Sequence, residues 1–419
     1  MELNTKLVEL LQYVNEKSVF YKRLFHEHNI DINTIKNASD LSKLPTVSKQ
    51  DLQKQNAEFY CIKESEIADF VTTSGTLGNP VTVPLSKNDL ERLAINESSS
   101  FAIAGITSND IIQLMVTLDM RFMAGLAYFL GVQKLGATSL RIGPGSPVAQ
   151  LENIEKFKPT VLVGVPSFVA KIVDYAQQNN IDINATSVRK IICIGDAIRD
   201  ENLELNSIGK RIKSVWNVDL HSTYASTEMA TAFTECEMGQ GGHLQEDLLI
   251  VEIIDEQGNN LANGELGEVC ITTLGTEGMP LVRFRTGDMA FIIDEPCACG
   301  NKSLRLSPII GRKEQMIKFK GTSIYPSGII DVINDCPDIT NFFIEVTSDD
   351  LGVDKVRVIV GSDEETNPCI DNLAGNFKNK IRVVPEIVVQ SNIQVISNLN
   401  KHKGRKPKVF FDLRSGRKF

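Results

Sequence analysis

Residues 160–194 read TVLVGVPSFVAKIVDYAQQNNIDINATSVRKIICI, and this stretch decides the fold class. Thr160 to Val165 and Lys190 to Ile194 are short apolar runs rich in β-branched residues, the pattern of strands buried on both faces. Between them, Ser167 to Gln178 carries apolar positions at helical spacing. A further apolar run, Ile111 to Thr117, lies upstream, so residues 68 to 235 read as βαβ units around a mostly parallel sheet.

Outward from this core the texture changes on both sides. Residues 5 to 28 place Leu7, Leu10, Leu11 and Val14, then Phe20, Tyr21, Leu24 and Phe25, on one or two amphipathic helices that form a packing arm. After Gln245, the runs Leu248 to Ile254, Gly267 to Thr273 and Asp288 to Ile293 are joined by Gly, Asn and Asp turns, which predicts a β-rich antiparallel subdomain over about 245–310. From Tyr325 a helical pattern (Ile329, Ile330, Val332, Ile333) leads into strand patterns at Phe342 to Val346 and Val356 to Val360. The expectation is an α/β protein with a large N-terminal domain of mixed sheets over 1–312, the β-rich subdomain included, and a small α+β C-terminal domain over 313–419.

With 419 residues, 42% of them hydrophobic and 23% charged, the chain is long enough for full cores and too apolar for disorder. Its formal net charge of −9 lacks the electrostatic footprint of a nucleic-acid binder. No run long enough to cross a membrane occurs, and Met-Glu-Leu-Asn-Thr-Lys at the start lacks the apolar segment of a signal peptide, so a cytoplasmic protein without a membrane partner is expected. Eight cysteines are few for a disulfide scaffold in a chain of this length, which directs attention to metal. Cys236 and His243 form one pair of ligands and Cys297 and Cys299 another, a set that suits a closed, structural Zn²⁺ site. Cys61, Cys193, Cys270, Cys336 and Cys369 read as small buried hydrophobes.

Four motifs carry chemistry. Thr72-Thr-Ser-Gly-Thr-Leu-Gly-Asn-Pro80 clusters hydroxyls and glycines that can cradle phosphate, although it is no Walker sequence; a plain loop has the same composition. Ser222-Thr-Tyr-Ala-Ser-Thr-Glu228 ends in a carboxylate suited to a hard divalent cation, or to a helix start. Arg283-Phe-Arg-Thr-Gly-Asp288 offers an acid that can accept from ribose hydroxyls, or a hairpin turn. Gly311-Arg-Lys-Glu-Gln-Met-Ile-Lys-Phe-Lys-Gly321 has the composition of a hinge.

In this order and spacing, together with Tyr21-Lys-Arg-Leu-Phe25 and Leu44-Pro-Thr-Val-Ser-Lys49, the motifs resemble the adenylate-forming superfamily and, within it, the phenylacetate-CoA ligase family, over nearly the whole chain. The resemblance implies a carboxylate attacking the α-phosphate of ATP to give an acyl-adenylate, followed by displacement of AMP by the thiol of coenzyme A, with Mg²⁺ as cofactor and a C-terminal domain that rotates between the two steps. By the same resemblance Ser74, Gly75 and Thr76 contact the pyrophosphate portion, Tyr224, Ala225 and Ser226 flank the nucleotide, Thr227 touches the α-phosphate and Glu228 holds Mg²⁺. Asp288 binds ribose with Arg312 beside it, and Glu314 is the hinge acid. Lys406 is the residue that corresponds to the catalytic lysine of the tail, with Lys403 and Lys408 as its close alternatives.

The acyl pocket is expected along Met120 to Tyr128, Gly143 to Ser146, Gly164 to Ser167 and Gly195 to Ala197; Met120, Phe122, Met123 and Phe129 favour an aryl or arylacetic acid. Some members of the family carry cysteines and a histidine in the region of the Zn²⁺ pattern. The chain departs from the family at Leu77 and Asn79, where a threonine and a lysine are usual, so one phosphate contact is missing or supplied from elsewhere. The alternatives are an adenylyltransferase that uses no coenzyme A and a non-catalytic nucleotide-binding relative. A homodimer is admitted as the assembly.

Overall fold

Local sequence signals set most of the element ends. Ser18, Ser48 and Ser86 each accept a backbone N–H at a helix start, and at two of them an aspartate three residues on closes a reciprocal capping box. The computed structural model describes residues 2–73, 80–336, 338–349, 353–363, 367–400 and 408–414. The chain divides into two units, Met1–Leu205 with Gly209–Ile309, and Asn206–Ile208 with Ile310–Phe419.

The first unit begins with α1 (Glu2–Lys17) and α2 (Val19–Glu27). Leu7, Leu10, Leu11 and Val14 are buried, and Phe20 stacks on Phe59 with ring centroids 3.9 Å apart, so these helices are a packing arm. After α3 (Lys49–Gln55), the hairpin of β1 (Asp69–Thr72) and β2 (Thr82–Leu85) flanks the glycine-rich segment and leads into α4 (Lys87–Ile103). Alternation follows: β3 (Ile111–Leu114), α5 (Met123–Leu135), β4 (Thr138–Arg141), α6 (Pro147–Phe157), β5 (Val161–Gly164), α7 (Pro166–Gln178), β6 (Lys190–Ile194), α8 (Ser207–Val215) and β7 (Asp219–Ser226). β4, β3, β5, β6 and β7 pair in that order, all parallel, as the apolar runs require.

The chain then turns back through β8 (Thr231–Glu235) and β9 (Gly242–His243). Three strands, β10 (Leu249–Ile254), β11 (Gly267–Thr273) and β12 (Phe284–Ala290), form an antiparallel sheet, and β13 (Ile292–Ile293) and β14 (Arg305–Leu306) follow. The large sheet has nine strands in the order β13-β14-β9-β8-β7-β6-β5-β3-β4, and its last four members in sequence pair antiparallel. The sheet is mixed, as expected, since β8 hairpins directly off β7. One expectation is corrected here: the run Asp288 to Ile293 is split, β12 staying in the small sheet while β13 joins the large one. The run from Ile111 stops being strand at Leu114, because the chain leaves the sheet before Met120 and Arg121, which have φ of 57° and 56°.

The second unit contains β15 (Gly311–Arg312), β16 (Ile317–Phe319), β17 (Thr322–Ile324), α9 (Pro326–Asn334), β18 (Phe342–Ser348), β19 (Asp354–Gly361), α10 (Pro368–Asp371), α11 (Leu373–Ile381), β20 (Glu386–Gln390), α12 (Asn392–Asn400) and β21 (Phe410–Asp412). A four-stranded sheet in the order β20-β19-β18-β21 packs on α9 and α11 through Ile329, Val332, Ile333, Ile344, Val358 and Phe377. Cys336 and Cys369 are a correction as well. They are joined as a disulfide, with Cα atoms 5.6 Å apart, because folding brings the end of α9 against α10.

Candidate functional site

In an open parallel sheet, ligands bind beyond the carboxyl ends of the strands. Three of the residues expected to line an acyl pocket stand there: Gly143 just past β4 at φ 76°, Gly164 as the last residue of β5, and Gly195 directly after β6 at φ 77°. A Cβ at Gly164 would lie 2.5 Å from Cε of Met115, the residue following β3, so this edge is tight and Met115 is part of it. Met115 carries no motif signal; only the adjacency of β3 and β5 reveals it. Of the expected apolar lining, Met120 is 73% exposed and Phe122 is the N-cap of α5, whereas Met123 and Tyr128 are buried in the core. Phe129 has the Arg141 guanidinium 5.2 Å above its ring.

The β7–β8 hairpin carries the next group. Its last register pair is Ser226 with Thr231, so Thr227 to Ala230 form the turn and Glu228 lies within it; Ala225 is exposed on β7. Tyr224 on β7 donates its hydroxyl to Asp288 Oδ2 on β12 at 2.8 Å, and its ring lies 5.7 Å from Phe233. Burial and then the Asp288 carboxylate push the Tyr224 phenol up, so it remains a donor. Asp288 follows Gly287 at φ 79°, a left-handed position that glycine adopts without penalty. Arg285 of the same motif turns away, donating to Glu268 Oε2 at 2.6 and 2.9 Å.

Glu228 meets a cation that the motif reading had not placed in the site. Lys49 Nζ lies 3.4 Å from Glu228 Oε1, with the carboxylate side chain 9% exposed. Lys49 is the first residue of α3, and the segment ahead of it is sewn to β12: Val47 N donates to Arg283 O at 2.9 Å and Arg285 N to Val47 O at 2.8 Å. The segments Leu44–Lys49, Tyr224–Glu228 and Arg283–Asp288 thus converge. Thr73, beside the glycine-rich loop, is fixed by mutual hydrogen bonds with Val81 at 3.0 Å. Ser74, Gly75, Thr76, Leu77 and Asn79 lie outside the described residues, as do Lys403 and Lys406. Arg312 ends β15, Glu314 sits in the short helix Lys313–Gln315 and Lys408 lies over the Phe411 ring at 5.4 Å, all in the second unit.

The ligand atoms of Cys236, His243, Cys297 and Cys299 all lie within 4.8 Å of one another. Sγ of Cys236 and Cys297 are 3.6 Å apart, and Cys299 Sγ is 3.4 Å from His243 Nε2. A tetrahedral Zn²⁺ with ordinary bond lengths requires about 3.8 Å between two sulfurs and about 3.6 Å between sulfur and nitrogen. His243 is fully buried, which lowers its pKa and favours the neutral, ligating imidazole; its Nδ1 is oriented by Ser303 Oγ at 3.1 Å.

Residues 15–277 match the family of AMP-binding enzymes, well over half of the chain. The chain belongs to this family. Among similar proteins are the phenylacetate-coenzyme A ligases of Thermus thermophilus, 28% identical over 80% of this chain and 75% of the relative, and of Escherichia coli, 26% identical over 77% and 73%. Its fold is that of a solved 2-hydroxyisobutyryl-CoA ligase in its postadenylation state, with a TM-score of 0.84 at 19% identity over 98% of this chain and 88% of the other. The phenylacetate-CoA ligase family, to which the motifs point, is therefore also where this AMP-binding enzyme finds its relatives.

Proposed function

We propose that this AMP-binding enzyme is an ATP-dependent acid–thiol ligase that converts a carboxylic acid and coenzyme A to an acyl-CoA, AMP and pyrophosphate through an acyl-adenylate, with aryl or arylacetic acids as its substrates. The observation that carries the reading is the convergence of Tyr224, Asp288, Glu228 and Lys49. The Asp288 carboxylate, already accepting from Tyr224, offers an oxygen to ribose hydroxyls, and the Tyr224 ring supplies a face for adenine. Glu228 would hold Mg²⁺, which supplies charge neutralisation at the phosphates. Lys49 adds an ammonium beside that carboxylate, where it can meet pyrophosphate oxygens and so supply the cation that Asn79 does not. Ser74, Gly75 and Thr76 complete the phosphate cradle in this reading, Lys406 stabilises the adenylation transition state, and rotation of the domain from about residue 313, near Glu314, presents the thiol step.

The acyl group would enter at Gly143, Gly164 and Gly195, with Met115 limiting its depth. Cys236, His243, Cys297 and Cys299 would hold Zn²⁺ as a closed brace between β8, β9 and the loop before β14, a structural role because four protein ligands leave no open position. No helix among the described residues is long and apolar enough to cross a membrane, and a cytoplasmic location and a homodimer complete the proposal.

The test is acid-dependent AMP release with ATP and Mg²⁺, with and without coenzyme A, across phenylacetate, benzoates, indoleacetate and short fatty acids. AMP that forms only with both acid and coenzyme A supports the ligase and names its substrate class. Pyrophosphate release indifferent to coenzyme A would replace it by an adenylyltransferase, and ATP binding without pyrophosphate exchange on any acid by a non-catalytic protein.

A further inference from the structure

The turn that carries Glu228 is held from behind by a residue outside every motif. Arg92 on α4 is 5% exposed, and its guanidinium reaches four acceptors from three separate stretches of chain. Nε donates to Leu274 O at 2.7 Å, Nη1 to Ala230 O at 2.7 Å, and Nη2 to Thr231 Oγ1 at 3.0 Å and to Leu248 O at 2.6 Å. Two of the four lie at the end of the Thr227–Ala230 turn. From Thr231 the chain of bonds continues, its hydroxyl donating to Met229 O at 3.0 Å, one residue from Glu228.

The turn needs such a hold. Ala230 adopts φ 47°, a conformation that residues with a Cβ avoid, and an exposed hairpin would relax it. Met229 is fully buried and anchors the turn on one side; Arg92 anchors it on the other. A planar fork with five donors can grip carbonyls in several directions at once, which a lysine ammonium at the same place cannot reproduce. Burial pushes the guanidinium down to about 10 while Asp89, one turn earlier on α4, pulls it back, so the donor set is complete at neutral pH. Every hydrogen-bond acceptor it reaches is uncharged, so this is not an ion pair of the ordinary structural kind.

We propose that Arg92 is a positioning residue of the adenylation site: it clamps the β7–β8 turn so that the Glu228 carboxylate faces the metal–nucleotide position. This rests on the reading of Glu228 as the metal-holding acid, and the test separates the two. ATP affinity is measured by equilibrium titration over a series of Mg²⁺ concentrations, beside the KM of the acid, for Arg92→Lys, Thr231→Val, Glu228→Gln and the double variants with Glu228→Gln. Loss of charge-assisted hydrogen bonds from the clamp is expected to raise the Mg²⁺ concentration required by Arg92→Lys on the order of tenfold, with the acid KM within about twofold. Thr231→Val, which removes one acceptor at little change in shape, shifts it in the same direction by less, and carries the test if Arg92→Lys melts far below the parent protein. In the Glu228→Gln background neither change shifts the Mg²⁺ dependence further, because the clamp acts only through that carboxylate.

An undiminished effect in that background, equal losses in Mg²⁺ and acid dependence, or no shift in either single variant overturns the clamp. A Glu228→Gln protein with unchanged Mg²⁺ dependence overturns instead the reading of Glu228, and the role of Arg92 falls with it.

Discussion

Replacing Glu97 by glutamine should remove a pH dependence built into the first unit. Glu97 lies on α4 and is 4% exposed; Oε1 accepts from Asn96 Nδ2 at 3.0 Å, and Oε2 has no hydrogen-bond partner. α5 presses so closely here that a Cβ at Gly131 would lie 2.3 Å from the Cβ of Glu97. Burial pushes its carboxyl up from 4.5 to about 8, with the Asn96 bond opposing it. Below pH 4.5 both folded and unfolded chains hold the proton, and no penalty exists. Between there and about pH 8 the unfolded chain releases a proton that the folded one keeps, so stability falls as pH rises, by ~1.4 kcal/mol per pH unit. The accumulated cost is on the order of 5 kcal/mol, after which the folded carboxyl ionises too and the slope ends. The single tryptophan, Trp216, is buried in the first unit and reports its unfolding. Urea unfolding followed by its fluorescence from pH 5.5 to 8.5 should show Glu97→Gln gaining several kcal/mol on the parent across the range. A difference between the two proteins that does not change with pH would refute the reasoning, since all other titrating groups are common to both.

Four further outcomes are expected. Metal analysis should find about one Zn²⁺ per chain, with chelation or Cys299→Ser lowering the melting temperature; a metal-free protein with unchanged melting would remove the site. Lys49→Met should weaken ATP binding on the order of tenfold and leave the acid KM nearly unchanged, as expected of a phosphate-facing ammonium, and an effect on the acid alone would reject that placement. Lys406→Ala should slow adenylation far more than thioester formation from preformed acyl-adenylate; equal losses, or losses only in Lys403→Ala or Lys408→Ala, would move the assignment. Under oxidising conditions Cys336→Ser should cost the second unit about 3 to 4 kcal/mol, from the 33-residue separation that the disulfide closes, while the Trp216 transition stays where it was; a shift of that transition would contradict the confinement of the bond to one unit.

The parallel part of the large sheet was legible because β5 and β6 are buried on both faces and read as continuous apolar runs, while the helix between them buries one face and so must be apolar at the helical period, as must the amphipathic arm. The short strand β14 was not: it has two residues, too few for any periodicity, and it is a strand because it pairs with β9 on one side and β13 on the other. The motifs at Tyr224–Glu228 and Arg283–Asp288 announced themselves through residue types that a phosphate or ribose site requires. Lys49 was visible only as part of a resemblance, and Arg92 and Met115 not at all, since an arginine on a helix and a methionine after a strand have many uses. Their roles depend on what stands opposite.

What this sequence determines by itself is therefore the chemistry available, hydroxyls, carboxylates, thiols and glycines at stated positions, and the period of its buried segments. Only the tertiary structure decides which of them meet: Lys49 with Glu228, 179 residues apart, and Arg92 with a turn 138 residues later. Contacts at such separations follow from the packing of whole elements against one another, and no local pattern encodes them.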